Sequence, residues 1–312
     1  MVQASKDWAR HGVKVFAVGI GNGIHLPGLA EISGSEERVM EVKTFDEIAI
    51  MAKSLLKRVC QKIQPKKFLL TIANGNKKGK ILFQPTDGKS FGSEWNTIPG
   101  WLAQVDSDKD IVAGCNSNLD IFVRVGSNWV QVPGKLKQVD VGDGIMAGVY
   151  KDGSIYMTSG DFKKPANLKW SKIPGGLKQI SVGGGNIAGV NSLDMIYFRK
   201  GIDSKHPYGT SWLRIEGGLK MIAVGKNLAV GVNSLNDIYF RILSLGKPFG
   251  EKWQHIGGKL SSIYIENGVV FGVSPVGELF YRGGIDTAHP FGTTWVKDSS
   301  VKLSAPKRVV VQ

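Results

Sequence analysis

The sequence lacks the long apolar run that a membrane span requires, since no stretch reaches roughly 18–20 consecutive apolar residues. Its two cysteines, Cys60 and Cys115, are too few for a disulfide framework, although a single bridge between them stays open. The five histidines are scattered along the chain, at His11, His25, His206, His255 and His289. No Cys/His set has the spacing of metal ligands. We therefore expect no transmembrane segment, no bound metal and no cofactor.

Motifs for catalysis and for specific nucleic-acid binding are also missing. There is no His-Glu-x-x-His and no paired-carboxylate motif, so we expect a protein that is not an enzyme. The chain has no run of five like charges and no basic-aromatic motif of the RNA-binding type. Residues 13–20 are apolar but too short for a signal peptide, and they predict a buried strand, so the chain as given shows no secretion signal.

The charge balance is strongly basic, with a formal net charge of +14 and a pI near 9.6. A basic surface favours anionic partners such as lipopolysaccharide, sulfated glycans or phospholipid. The lysines are spread along the sequence, so an ordinary solvated lysine surface explains the charge equally well.

Six of the eight tryptophans mark an internal repeat. They are 34, 41, 42, 41 and 42 residues apart, whereas Trp8 and Trp101 fall outside the series: Trp95, Trp129, Trp170, Trp212, Trp253 and Trp295. After Trp170 come Ile173-Pro-Gly-Gly-Leu177, Gln179-Ile-Ser-Val-Gly183, Ala188-Gly-Val-Asn-Ser192 and Ile196-Tyr-Phe-Arg199, and similar passages follow the other copies. The repeat unit is therefore about 41 residues long.

This period predicts a β-propeller. Each unit holds about four short β-prone runs separated by Gly, Pro and Asn-Ser turns, and four strands in 40–45 residues form one propeller blade. Trp295 begins a unit that the chain does not finish, and the passages at 69–75 and 80–84 resemble the missing part. We predict a mainly β fold with six four-stranded blades over residues 66–312, the sixth blade combining strands from both ends of the repeat region.

The repeated residues resemble tectonin repeats, as found in fish-egg lectins and horseshoe-crab lipopolysaccharide-binding lectins. The pattern Trp-x-x-Ile-Pro-Gly-x-Leu-x-Gln-Ile-x-Val-Gly, followed by Gly-Val-Asn-Ser and Ile-Tyr-x-Arg, covers roughly residues 66–300. The resemblance implies a propeller that binds N-acetylglucosamine-type sugars, lipopolysaccharide or related glycans, often in innate defence, and an extracellular location. Similar repeats also occur in larger intracellular proteins at membranes.

Residues 1–65 have a different, α/β character. We predict a helix end at 2–10, strands at 13–20 and 39–42, and helices at 26–32 and 44–63, with Thr44 as the N-cap of the last helix and Glu47 completing a capping box. The segment resembles the C-terminal part of a von Willebrand factor A domain. The first strand with its metal-binding Asp-x-Ser-x-Ser motif is absent, so metal-dependent adhesion is not implied, and we expect a truncated domain or a piece of a longer chain.

Three groups of residues are candidates for carbohydrate binding, and each also has a structural interpretation. The tryptophans of the series present rings that either stack on sugars or pack at a fixed position of each blade. The loops 201–212 and 284–295 supply Asp203, His206, Tyr208, Asp286 and His289 as ligands for sugar hydroxyls, or form structural turns.

The third group combines turn asparagines with arginines at strand ends. The asparagines are Asn116, Asn191 and Asn233, and the arginines are Arg124, Arg199, Arg241 and Arg282. They would bind sugar hydroxyls and phosphates, because the guanidinium fork suits phosphate. The alternative is an Asx turn with an arginine paired to nearby backbone.

The sequence thus favours a multivalent lectin, whose weak sites gain avidity on repetitive surfaces. Two other functions stay open: an extracellular adhesion or matrix scaffold that docks proteins, and an intracellular tectonin-type adaptor at membranes.

Overall fold

The computed structural model describes residues 17–21, 24–43, 68–73, 80–86, 94–109, 111–244, 246–266 and 268–302. The chain divides into two compact units, Met1–Pro65 and Lys66–Gln312. Among the described residues, no helix has the length and apolar character to cross a membrane.

The first unit contains a parallel pair of strands joined through a short helix. Its elements are β1 (Ala17–Ile20), α1 (Leu26–Ser33), a 3-10 turn (Glu36–Arg38) and β2 (Val39–Val42). The strands pair in parallel, with Ala17 opposite Val39. The ring of His25 accepts the N–H of Gly28 at 3.1 Å at the start of α1, and Gly34 ends the helix at a φ of 73°.

These elements confirm part of the sequence prediction for residues 1–65. The helix expected at 26–32 and the strand at 39–42 are present, and the described part of the strand expected at 13–20 begins at Ala17. The helices predicted at 2–10 and 44–63 lie outside the described residues. Two parallel strands and one helix do not support the open sheet of a von Willebrand factor A domain, so that resemblance stays a prediction.

The second unit is built from antiparallel sheets arranged as propeller blades. Five sheets have four strands each, with neighbours in the sheet following chain order. The first blade has β6 (Gln104–Asp108), β7 (Ile111–Cys115), β8 (Asp120–Val125) and β9 (Asn128–Lys135), and the second has β10 (Gln138–Gly142), β11 (Ile145–Val149), β12 (Ile155–Ser159) and β13 (Ser171–Ile173). The third blade has β14 (Gln179–Gly183), β15 (Asn186–Val190), β16 (Met195–Lys200) and β17 (Ser211–Gly218). The fourth has β18 (Met221–Val224), β19 (Leu228–Val232), β20 (Asp237–Ile242) and β21 (Gln254–Lys259), and the fifth has β22 (Ser262–Glu266), β23 (Val269–Val273), β24 (Glu278–Gly283) and β25 (Thr294–Lys302).

A further sheet of three strands corrects the prediction of six four-stranded blades. It consists of β3 (Phe68–Ala73), β4 (Lys80–Thr86) and β5 (Asn96–Trp101). The propeller therefore has five complete blades in the described residues. The predicted shared blade is also wrong, because the strand that carries Trp295 pairs with β24 of its own repeat. The error came from starting each blade at Trp, whereas Trp opens the outermost strand.

The core lies between neighbouring sheets. The second strand of each blade is mostly apolar and buried after its first residue, as in β15, and β23 is buried along its whole length, because sheets cover both of its faces. Each cluster of buried residues joins two adjacent sheets: Ile155 and Met157 of the second blade, for example, pack with Ile180 and Ile187 of the third.

Glutamines tie the innermost strands together. The side chain of Gln138 accepts the N–H of Ile180 at 3.0 Å and donates to the Ile180 carbonyl at 2.9 Å, so it pairs with the next blade as another strand would. Gln104 and Gln179 make the same two bonds to Val139 and Ile222. These bonds satisfy backbone groups that face the neighbouring blade.

Buried carboxyl groups lie beside this ladder. Asp106 accepts the N–H of Val141 at 2.6 Å, Asp140 accepts that of Val182 at 2.6 Å, and Ser107 donates to buried Glu266 at 2.8 Å. Burial raises the pKa of Asp106 to about 7. Burial and the neighbouring Asp106 carboxyl raise the pKa of Asp140 well above its usual value.

Replacing Asp106 should change how stability depends on pH. Between about pH 4 and pH 7 the folded chain keeps a proton on Asp106 that the unfolded chain has lost, so this carboxyl lowers the free energy of unfolding as the pH rises through that window. Asp106→Asn keeps an oxygen for the Val141 N–H and carries no charge. We expect the variant to melt at a higher temperature than the wild type near neutral pH and above, and to show a flatter profile in thermal unfolding across that window.

Asp152→Asn is the matched control. The pKa of Asp152 is lowered, chiefly by the backbone N–H of Ser154, so its contribution to stability is lost as the pH falls. This variant should gain nothing at high pH. A wild-type pH slope retained in Asp106→Asn would contradict a buried, protonated Asp106.

Candidate functional site

The tryptophan series forms contacts between blades. Each indole N–H of the last five members donates to a backbone carbonyl of the preceding sheet, as Trp212 does to Pro174 at 2.8 Å. The other four acceptors are the carbonyls of Pro99, Pro133, Glu216 and Gly257, at 2.8–3.0 Å. Trp95 donates instead to the carboxylate of Asp298 at 2.6 Å and so joins the three-stranded sheet to the fifth blade.

A glycine lies beneath each of these five rings. Gly100 has a φ of 126°, and a Cβ there would approach the indole nitrogen of Trp129 to 2.6 Å. Equivalent glycines with positive φ face the other rings: Gly134, Gly175, Gly217 and Gly258. The Pro-Gly motif therefore serves this close approach, and packing between blades occupies the tryptophans of the series.

Three of the four candidate arginines hold loops and stack on these rings. Arg199 donates from Nε to the Tyr208 carbonyl at 2.7 Å, and its guanidinium lies 5.1 Å from the centre of the Trp212 ring. Arg241, which is 3% exposed, and Arg282 make the same bonds to Phe249 and Phe291. Arg124 is followed by a short turn instead of a long loop, and its Nε donates to the Gly126 carbonyl at 3.1 Å.

The candidate asparagines cap turns between the second and third strands. Asn191 Oδ1 accepts the N–H groups of Leu193 and Met195 at 3.0 and 2.9 Å. Asn116 and Asn233 make the same pair of bonds in their own turns. These are the Asx turns that the sequence allows as the structural interpretation.

The aspartates and histidines among the candidate loop residues are exposed and are bonded within their own loops, whereas Tyr208 is half-buried. Asp203 accepts the N–H of His206 at 2.7 Å and lies 3.1 Å from its ring nitrogen; Asp286 and His289 repeat this arrangement. That hydrogen bond is also the main cause that lowers the pKa of Asp203. Tyr208 shares a hydrogen bond of 2.9 Å with Ser159.

The structure places these candidates at opposite ends of the blades. In an antiparallel four-stranded sheet the first and third connections lie at one end and the second connection at the other. The loop residues and the arginines therefore lie at one end, and the turn asparagines at the other. The sequence suggested no such separation.

Two clefts between adjacent blades collect some of the candidates. The Asp203 cleft, of about 210 Å³, lies between the second and third blades. Polar Asp143, Asn186 and Asp203 border it, and its walls are apolar, with Ile145, Ile187, Ile202 and Pro207.

The second, which we call the Tyr239 cleft, has a volume of about 190 Å³ and lies between the third and fourth blades. Asn233, Tyr239 and Trp253 of the fourth blade face Ile196, Gly217, Gly218 and Leu219 of the third. Sequence reasoning named Asn233 and Trp253 but missed Tyr239, although tyrosine in the Ile-Tyr-Phe-Arg motif was the available signal. Among the described residues, no side-chain group of three or more could hold a metal ion.

Removing one indole N–H should measurably weaken the propeller. Trp212→Phe keeps an aromatic ring and leaves the Pro174 carbonyl without its partner, so we expect a loss of about 1–2 kcal/mol in the free energy of unfolding. Urea denaturation measures this. Trp101→Phe is the control, because Trp101 is exposed and lies outside the series, and it should cost less than about 0.5 kcal/mol. Equal stability of the two variants would show that the bond between blades contributes nothing.

Comparisons with known proteins agree with this architecture. The model of the tectonin domain matches residues 75–230 and 229–309, which is more than half of the chain. A search of curated proteins gave no match. Among solved structures, the chain is similar to one titled "Crystal structure of Nidogen/Laminin Complex" (TM-score 0.54, 12% identity, 74% of this chain and 93% of that chain).

It is also similar to the β-propeller domain of Myceliophteria thermophila Cps50 (Swd1), with a TM-score of 0.51 and 7% identity over 78% of this chain and 89% of that chain. The match to human WBSCR16 has a TM-score of 0.44 and 12% identity over 60% of this chain, and it covers less than two thirds, 65%, of that chain. At such identities the first two likenesses show the fold alone. The repeated tryptophan contacts and the match over most of the repeat region show that this chain belongs to the tectonin family and forms a tectonin-repeat β-propeller.

Proposed function

We propose that the propeller binds glycans in its clefts between blades, and the Tyr239 cleft is the observation that supports this most directly. The rings of Tyr239 and Trp253 offer flat apolar surface, and the Asn233 amide and the Tyr239 hydroxyl offer hydrogen bonds. None of the described residues bonds to that hydroxyl. Flat rings beside polar groups match a sugar, which has an apolar face and hydroxyls at its edge.

The size of the cleft suits a single sugar ring. Its volume of about 190 Å³ is below the roughly 300–1,000 Å³ of pockets for drug-sized ligands. The third blade carries the same residue types at the same positions, in Asn191, Tyr197 and Trp212, and the Trp212 ring faces Gly175 of the second blade. Such small sites bind weakly one by one and gain avidity on repetitive surfaces. The protein would act by binding, without catalysis.

The ligand class within this proposal is N-acetylglucosamine-type glycans or bacterial lipopolysaccharide, with a role in innate defence and an extracellular location. The tectonin resemblance supports these choices. The net charge of +14 adds attraction to anionic lipopolysaccharide, and salt weakens such attraction.

A glycan array tests the proposal with the full chain. It would carry N-acetylglucosamine polymers and lipopolysaccharide, at low and high salt. We expect binding that free N-acetylglucosamine competes away and that survives high salt. Tyr197→Phe combined with Tyr239→Phe removes both cleft hydroxyls and should weaken array binding about tenfold. Each cleft loses one hydrogen bond to its sugar, and both clefts contribute to the avidity of one protein molecule.

Tyr208→Phe is the matched control, since it removes a tyrosine hydroxyl at the other end of the blades and should leave binding unchanged. Loss of binding in Asp203→Ala but not in the double tyrosine variant would move the site to the Asp203 cleft. Binding that disappears at high salt would identify a general attraction for anions. No binding to any glycan would overturn the proposal.

Docking of a protein partner is a second candidate function, and one observation favours it. The turns after the second strand of the third, fourth and fifth blades each expose an apolar side chain: Leu193, Leu235 and Val276 are 70%, 69% and 68% exposed. Repeated apolar tips at one end of three adjacent blades resemble an interaction surface. A failed glycan screen would make this the leading function.

A further inference from the structure

Trp101 occupies a position where two other repeats have glycine. It pairs with Lys80 just before a β-bulge, as Gly218 pairs with Met195 just before the same bulge in the third blade. Gly218 lines the Tyr239 cleft, so Trp101 lies at the matching place between the three-stranded sheet and the first blade. Trp101 lies outside the regular tryptophan series because the other copies of the repeat have no tryptophan at this position.

The ring of Trp101 is 66% exposed, unlike the half-buried rings of the series. None of the described residues accepts its indole N–H. Trp101 therefore does not pack between blades as the other tryptophans do. A large, rigid, exposed ring with a free donor is costly to leave in water and is typical of binding surfaces.

The residues around Trp101 occupy the same repeat positions as the residues of the Tyr239 cleft. Gly100 lies against Trp129, and buried Leu102 packs with Phe122 and Trp129. By position in the repeat, Asn116 replaces Asn233 and Phe122 replaces Tyr239. This Trp101 cleft, defined by Trp101, Phe122, Trp129 and Asn116, thus has one more indole and one hydroxyl fewer than the Tyr239 cleft.

We infer that the Trp101 cleft is a separate and stronger sugar site, in which the exposed indole stacks on the apolar face of a pyranose ring. The inference rests on the proposed glycan-binding function and identifies the repeat that dominates it. Stacking replaces the hydrogen bond that Phe122 cannot make, so recognition here depends on an uncharged ring face and not on phosphate. Binding at this cleft is accordingly insensitive to salt.

Variants at Trp101 in the full chain test the inference, with N-acetylglucosamine trimer as the probe and titration calorimetry as the measurement. We expect Trp101→Ala to weaken binding about tenfold and Trp101→Phe, which keeps a stacking ring, to weaken it about threefold or less. Leu193→Ala is the control: it removes an equally exposed apolar side chain from a turn and should leave affinity unchanged. Melting temperatures equal to wild type show that the variants fold.

Transplanting the ring gives an independent test. A Cβ at Gly218 would have the Asp194 carbonyl oxygen, at 3.8 Å, as its nearest contact, so a side chain fits there. Gly218→Trp should strengthen binding at the Tyr239 cleft and restore part of the affinity lost in Trp101→Ala. If the wild type binds the trimer and Trp101→Ala binds it equally well, the inference is wrong and the proposed function stands. If the wild type binds no sugar in either assay, the proposed function fails and this site fails with it.

Discussion

The hydrogen bond from a tryptophan indole to the backbone of the preceding blade is the constraint on which the propeller depends. It brings a large ring close to a glycine of positive φ in the preceding sheet, and the approach is tightest at Gly100, where a single Cβ would come within 2.6 Å of the Trp129 nitrogen. The same bond explains why Trp and Pro-Gly recur together. Where the ring of blades returns to the three-stranded sheet, Asp298 supplies the acceptor in place of a carbonyl. The contact therefore persists where the repeat itself changes.

This constraint also determines what the arginines do. A guanidinium stacks on the outer side of Trp212, Trp253 and Trp295, at 5.1–5.5 Å from the ring centre, and its N–H groups bind carbonyls of the following loop. The loops after these arginines are therefore fixed to the blade by their backbone. The N–H groups of these guanidinium groups already donate to carbonyl oxygens, so they are not free to bind a phosphate of lipid A. On the proposed function, exposed lysines would supply the attraction to anions instead.

The sequence predicted the architecture well because the period and the turn residues are local signals. It placed the blade boundaries wrongly because a repeat can be cut at any point, and only strand pairing shows that Trp295 belongs with Arg282.

Gln138 and Asp106 illustrate what a single sequence does not show: their hydrogen-bond partners, Ile180 and Val141, lie in the next blade. For the candidate site the sequence selected residues of the right type, such as Asn233. It left open whether a turn uses the Asn233 side-chain oxygen, and the structure shows that a turn does.

Packing fixes some positions of the repeat and leaves others free, and the free positions are where recognition can differ between copies. One leucine recurs in every copy of the repeat, just after the outermost strand. The residue before it in successive sheets is Trp101, Lys135, Gly176, Gly218 and Lys259. Lys135 and Lys259 form ion pairs with Asp120 and Asp237, their cross-strand partners in the same sheet, at 2.5 Å each, so these two positions carry a long charged side chain in place of glycine.

On the proposed function, the clefts are therefore chemically unequal. Two have glycine at this position and are lined by tyrosine, one carries an additional indole, and two have a lysine that is ion-paired within its own sheet. The number of sugar sites is then smaller than the number of sheets, and avidity depends on the spacing of three clefts, two adjacent and the third one blade away, rather than on a full ring. A repeat that keeps its packing residues can thus vary its ligand sites one at a time without disturbing the propeller.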